Sequence, residues 1–280
     1  MQPVHTTTNN AFLQTWQRLS WMVAILITVG LVITGCAGFE LAENEQKNQS
    51  GIPKENSRPL TPWDIASNLS TAGKSPSAWQ HRTFPSKQPT QFKAMQIDGR
   101  TAMQAVSNQS ASMLRQSIRM ESAQLNRISF SWKVGALIAG ADLGQRSGED
   151  SPARLVLVFD GDSNKNPFST KDAMLSELAL TLTGEPLPYA TLIYAWDNQH
   201  PVGSIFNNHR TDRIRKIVLE SGPDKVGQWL DYDRDIRGDF EKAFGEAPGT
   251  LLSVGIMTDT DNTKTSTTAW YGPVRLLSGR

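Results

Sequence analysis

The chain has 280 residues, 28 Lys and Arg against 27 Asp and Glu, and a single cysteine. A charge balance this close to neutral gives no broad positive field to hold DNA, RNA or an anionic surface, so nucleic acid is not an expected partner. One thiol excludes an intrachain disulfide and a thiolate metal site, so stability must come from an apolar core.

The N-terminus carries the most specific signal. Arg18 is the only charge before an apolar run, Trp21–Thr34, and Ile33-Thr34-Gly35-Cys36 closes it. Those four residues resemble the lipobox of bacterial lipoproteins, in which the chain is cut before a cysteine that receives a diacylglyceryl group. Residues 1–35 are therefore expected to be a signal peptide and Cys36 the lipidation site. Two acyl chains suffice for stable anchoring where one does not. The competing reading is a retained helix, since Trp21–Phe39 is uncharged and about long enough to cross hydrocarbon at ~1.5 Å per residue. Ala37 after the cysteine, by resemblance to enterobacterial lipoproteins, implies an exported protein held in the outer membrane and facing the periplasm.

Residues 36–78 are rich in Asn, Ser, Pro, Gly, Gln and Lys and read as a flexible tether. Only Leu60-Thr-Pro-Trp63-Asp-Ile65 suggests a docked turn. A folded domain is expected over 79–280, mostly of strands. Gln91–Asp98 and Thr101–Ser107 flank Gly99-Arg100 as a hairpin, and Ser112–Met120 follows. Arg127–Val134 alternates, with Ile128, Phe130, Trp132 and Val134 on one face. Arg154–Phe159 is apolar on both faces and should be central. Tyr189–Trp196, Arg213–Glu220, Leu251–Met257 and Thr267–Leu276 complete the set. The basic tract Arg210–Lys216 reads as the solvated face of a strand. Two helices interrupt: Thr170–Leu182, with Ser169 or Thr170 as N-cap, and Asp233–Phe244, closed by Gly245. The expected fold is mainly β, a jelly-roll-like antiparallel β-sandwich with two short inserted helices.

Four constellations could carry chemistry. Asp259-Thr-Asp261-Asn262 follows a strand end; it suits a turn, a polar ligand contact or the hard oxygens that Ca2+ requires. Asp160-Gly-Asp162-Ser-Asn164 has similar spacing and is the second candidate metal loop, although neither has the glycine of an EF-hand. Trp196-Asp197-Asn198 ends a strand; an exposed Trp196 would stack on a sugar ring, a buried one would rim the core. Trp270 and Trp229 carry the same two readings. Arg154, on the expected central strand, needs a partner, and Asp197, Asp259 or Asp261 could supply it, as a structural pair or as the base of a pocket. The candidate ligand-binding set is thus Arg154, Trp196, Asp197, Asp259, Asp261, Asn262 and Trp270. His5, His81, His200 and His209 have no metal-ligand spacing, and no phosphate loop or catalytic triad is legible.

The stretch Trp79–Leu277 resembles a bacterial family catalogued as a domain of unknown function, number 3047. The resemblance rests on Phe130-Ser-Trp132-Lys, Asp150-Ser-Pro-Ala-Arg154, Tyr194-Ala-Trp196, Val218-Leu-Glu-Ser-Gly222, Arg234-Asp-Ile-Arg-Gly-Asp239-Phe240, Met257–Thr263 and Trp270-Tyr-Gly272. In that family two adjacent acids commonly precede the alanine-arginine, where this chain has Glu149-Asp150-Ser151-Pro152. The resemblance implies the domain limits and no activity. The closing strand and its acidic loop also look like non-catalytic carbohydrate-binding jelly rolls. Three functions follow as expectations: a lipid-anchored domain that binds a ligand such as a glycan, a structural lipoprotein acting through an envelope protein, and a carboxylate-dependent polysaccharide hydrolase or lyase.

Overall fold

Ile128, Phe130, Trp132 and Val134 do share one face, and all four are buried. The computed structural model describes residues 58–69 and 75–277. Cys36, the signal segment and most of the expected tether lie outside the described residues.

In chain order the elements are α1 (Pro62–Ala66), β1 (Gln80–Thr83), β2 (Gln91–Ile97), β3 (Arg100–Asn108), β4 (Ser112–Met120), β5 (Arg127–Val134), β6 (Ser151–Phe159), α2 (Thr170–Thr183), β7 (Ala190–Asp197), β8 (Ile205–Asn207), β9 (Ile214–Ser221), β10 (Leu230–Asp235), α3 (Ile236–Phe244), β11 (Leu251–Asp259), β12 (Ser266–Tyr271) and β13 (Arg275–Leu277). They form two facing sheets, a seven-stranded one ordered β1-β4-β11-β6-β7-β9-β8 and a six-stranded one ordered β10-β5-β12-β3-β2, with β13 also on β5. The chain is thus a jelly-roll-like β-sandwich, as expected from its rhythm of short strands. One pair, β7–β9, is parallel, because residues 198–213 cross back to the start of the sheet and leave β8 antiparallel on the edge of β9.

Tight turns fix the registers. Asp98 and Gly99 both have positive φ, which gives the β2–β3 hairpin the twist its strands need. The expected last strand divides at Gly272-Pro273 into β12 and β13, since proline has no N–H to donate to a ladder. The second predicted helix starts later than expected: Asp233–Asp235 extend β10, and Asp235 then caps α3.

The core lies between the sheets and is rich in aromatic rings: Trp132, Phe130, Tyr194, Trp196, Phe159 and Phe240 all belong to it. Strands β6 and β7 are buried on their outer face as well. There Val156, Ile193, Ala195 and Val218 pack under Leu143, from the loop between β5 and β6. Among the described residues no helix is long and apolar enough to cross a membrane.

Part of the expected tether belongs to the core. Trp63 is fully buried, packs its ring 4.9 Å from that of Trp79, and donates to the Tyr271 carbonyl at 2.8 Å. Asp64 is buried beside it. It receives both guanidinium nitrogens of Arg58 at 2.7 Å and the backbone N–H of Trp79. Burial pushes the Asp64 carboxyl up, but these donors outweigh it and hold it below its ordinary value. The sequence hinted at a docked turn here; only the structure shows that it supplies a tryptophan to the core. Trp63→Ala should therefore cost about 3–5 kcal/mol, and a chain starting at Trp79 should also unfold at lower urea. Urea titration followed by far-UV circular dichroism checks both; a wild-type midpoint in either would contradict this docking.

Candidate functional site

The acids named from the sequence meet, with others, where β6 begins and β11 ends. Arg154 stands on the outer face of β6 and pairs with Asp259 at 3.0 Å. Its other terminal nitrogen donates to the Glu149 carbonyl at 2.5 Å, and the Glu149 carboxylate lies 2.5 Å from the buried ammonium of Lys216. Asp150, Asp259 and Asp261 converge, one oxygen of each lying within 4.8 Å of the others. Lys87 pairs with Asp261, while Asp150 accepts the N–H of Asn262 and both the N–H and the hydroxyl of Thr263. Three carboxylates therefore face one guanidinium and one ammonium. These are the described side chains best placed to hold a cation. Asp150 and Asp259 already accept protein donors through both oxygens and Asp261 through one, so Ca2+, which takes six to eight oxygen ligands, would have to displace them.

Burial decides the electrostatics of this cluster. It pushes the Asp259 carboxyl up to about 7; Arg154 opposes the shift, and Asp150 and Asp261 reinforce it. Burial also lowers Lys216, against the pull of Glu149. The basic tract is accordingly not a solvated face. Lys216 is 1% exposed, and Arg213 stacks on Phe168 and Tyr189 while donating to the carbonyls of Asn166 and Pro167. Arg154 takes Asp259 as its carboxylate partner, not Asp197. Glu149, Asp150, Lys87 and Lys216 are the members that sequence reasoning did not place. The signal for two of them was present in Glu149-Asp150, just ahead of an apolar strand that carries an arginine.

The remaining predicted residues separate. Trp196 is fully buried and donates to the Gly222 carbonyl at 3.2 Å, so it offers no ring face to a ligand. Asp197, also buried, accepts the N–H groups of Leu143, Gln199 and His200 and ties two loops together. Asn262 is exposed on the turn that Asp150 caps. In the loop after β6, Asp160 accepts from Gly161 and Asp162 from Asn164; these are turn bonds of the loop itself, and among the described residues the loop joins no converging group of acids. Ligand contacts at Trp196 and Asp197 are thus displaced by packing and loop closure.

Trp270 stands apart on the outer face of the six-stranded sheet, half-buried. It is paired with Gln104 on β3 and Lys133 on β5. Leu230 on β10 pairs with Trp132, so Trp229 falls beside Lys133, and the row runs Trp229, Lys133, Trp270, Gln104 across four strands. The Lys133 ammonium lies 5.8 Å from the Trp270 ring centre, and the Arg100 guanidinium 5.2 Å from that of Trp229. Asp98, on the hairpin tip, receives Lys133 at 2.8 Å and the Trp229 indole N–H at 3.1 Å. Next to this row a cavity of 470 Å³ is lined by Arg100, Thr101, Ser129, Ser131, Asp231 and Arg275, among others. Half-exposed indoles with fixed hydroxyl, guanidinium and carboxylate groups around them are the make-up of a surface that recognises polar ligands with apolar faces.

Fold and surface define a curled two-sheet β-sandwich with an aromatic and polar outer face. The sequence matches the family described as Protein of unknown function (DUF3047) over residues 77–275, and the chain belongs to that family. A search of curated proteins finds no match. Among solved structures the chain is similar to the xyloglucanase domain of NopAA, a type three effector from Sinorhizobium fredii in complex with cellobiose, at 10% identity and TM-score 0.38, covering 72% of this chain and 93% of that one. It is also similar to the family GH12 endoglucanase 3 of Trichoderma harzianum, at 9% identity and TM-score 0.36, covering 67% and 83%. The native family 12 xyloglucanase from Bacillus licheniformis gives 8% identity and TM-score 0.35, covering 72% and 98%. At these values the likeness is one of general layout and assigns no activity.

The raised carboxyl of Asp259 has a consequence with a definite sign. Between the ordinary carboxylate value and about 7, the unfolded chain has lost this proton and the folded chain retains it, so stability falls as pH rises. The limiting slope is about 1.4 kcal/mol per pH unit. Asp259→Asn removes the titration. The difference in unfolding free energy between wild type and variant should therefore move against the wild type from pH 4 to 7 and then level off. Urea titrations across that range measure it, and a constant difference would contradict the shift.

Proposed function

We propose that this chain is a lipid-anchored protein of the bacterial envelope that displays its β-sandwich to bind a saccharide on the outer face of the six-stranded sheet. The observation that carries the proposal is the row in which half-exposed Trp229 and Trp270 flank Lys133. Two inter-strand steps set the backbones that carry the indoles about 10 Å apart, a spacing that suits two rings of one extended chain. A pyranose presents an apolar C–H face to an indole and a rim of hydroxyls to polar groups. Arg100, Asp98 and Lys133 surround the row, and the cavity beside it adds Ser129, Ser131 and Asp231. The two carboxylates beside this row are each held by a basic side chain, Asp98 by Lys133 and Asp231 by Arg100, which favours binding over turnover. The anchor rests on the sequence alone, on Cys36 after the apolar run.

Isothermal titration against a panel of envelope and plant-cell-wall polysaccharides tests the binding surface. Binding to at least one member is expected, weakened about tenfold or more in Trp229→Ala and in Trp270→Ala. Silence across the panel, or unchanged affinity in the double variant, sinks the proposal. The anchor is tested separately in a bacterial host. Labelled palmitate should enter the wild-type chain and not Cys36→Ser; label in both would point to a different attachment.

A further inference from the structure

The seven-stranded sheet carries a second concavity, and helix α2 runs up to its rim. The helix is pinned at both ends by polar contacts. At its start Asp172 receives the Thr211 hydroxyl at 2.5 Å and the Ser169 hydroxyl at 2.7 Å. Just past its end, Glu185 receives both terminal nitrogens of Arg115, at 2.7 and 2.8 Å. Between the pins it leaves its apolar side chains in solvent: Met174 is 70% exposed, Leu178 53% and Leu182 56%. These three are four residues apart and share one face. Helices this apolar are ordinarily covered.

Leu182 also lines the concavity, which has a volume of 550 Å³ and includes Arg82, Phe84, Met113, Arg115 and Glu185 in its wall. Met113 lies across Gly255 of β11, where a Cβ would meet its sulfur at 2.4 Å, so the glycine lets an apolar wall lie flat on the sheet. Arg82 reaches the same carboxylate as Arg115, at 3.0 Å, so two guanidinium groups share Glu185 and one positive charge is in excess. The buried Nε of each arginine has no hydrogen-bond partner. Arg115 holds Glu185 below its ordinary value, burial opposing, so that carboxylate stays ionised and the excess remains a single charge at neutral pH.

We infer that this concavity and the Met174–Leu178–Leu182 stripe form one site for an anionic amphiphile, a single acid group on an acyl chain. The acid group meets Arg82 and Arg115, and the chain lies along α2. Charge complementarity at one end of an apolar track selects this occupant over a neutral lipid, which would leave the guanidinium excess unmatched, and over a free anion, which would leave the leucines bare. The site lies on the sheet opposite the Trp229–Trp270 row and does not depend on saccharide binding there.

Titration calorimetry of the full chain with sodium laurate below its micellar concentration tests the inference. One additional site is expected in the wild type relative to Leu178→Ser/Leu182→Ser, a change confined to exposed side chains. Arg115→Gln, with its fold checked by circular dichroism, should weaken that site about tenfold or more. Octaethylene glycol monododecyl ether and acetate should each fail to compete. No laurate site, or a site that both variants retain, overturns the inference, as does equal competition by the neutral ether. A dimer that the leucine substitutions dissociate, with no laurate site, assigns the face to a second copy and overturns the inference.

Discussion

Strands β6 and β7 have no solvent face, and most of the architecture answers to that constraint. Their inner side chains meet the six-stranded sheet through Trp196, Tyr194 and Phe159. Their outer side chains need a second cover, which the loop between β5 and β6 supplies by laying Leu143 over Val156, Ile193 and Val218. The loop that makes this cover also carries Glu149 and Asp150 to the sheet. Covering an apolar face and assembling the ionic cluster are thus one event.

The cluster is best understood as a fastening between separate parts of the chain. Lys216 belongs to β9, Glu149 and Asp150 to the covering loop, Arg154 to β6, Asp259 and Asp261 to the end of β11, and Lys87 to the segment before β2. Removing one member of such a buried set leaves its partner's charge unmatched, which costs more than the pair contributes when intact. The cluster therefore specifies how these segments meet more than it adds to stability. Its acids are spent on protein donors, and the surface open to other molecules lies elsewhere: the tryptophan row on one sheet, and the arginine-lined concavity with its apolar helix on the other.

Much of the fold was legible because strand and helix periods are local properties of a sequence. Arg127–Val134 and Arg154–Phe159 announced a half-buried and a doubly buried strand, and Ser169 opens α2 and Gly245 closes α3 as their residue types suggest. The strands that escaped notice, β1, β8 and β10, are short and bury little. Trp63 escaped for a different reason. A single tryptophan in a polar, proline-containing stretch has no period, and its partners Trp79 and Tyr271 are remote in the chain. The site was less legible. An Asp-Thr-Asp turn looks the same whether its carboxylates face a ligand or Lys87 and Arg154, and an aromatic residue at a strand end looks the same at the rim of a pocket or under a loop.

The sequence by itself determined the sandwich of short strands, the two inserted helices, the family and the residue types in its acidic turns, because each is written in neighbouring residues. Tertiary structure decided which residues at strand ends, in the basic tract and on α2 meet water. It buried Trp196 and Lys216, left Trp270 and the leucines of α2 open, and matched Arg154 to Asp259 rather than to Asp197. Those outcomes depend on how two sheets and their covering loops pack, and packing joins residues that no local pattern connects.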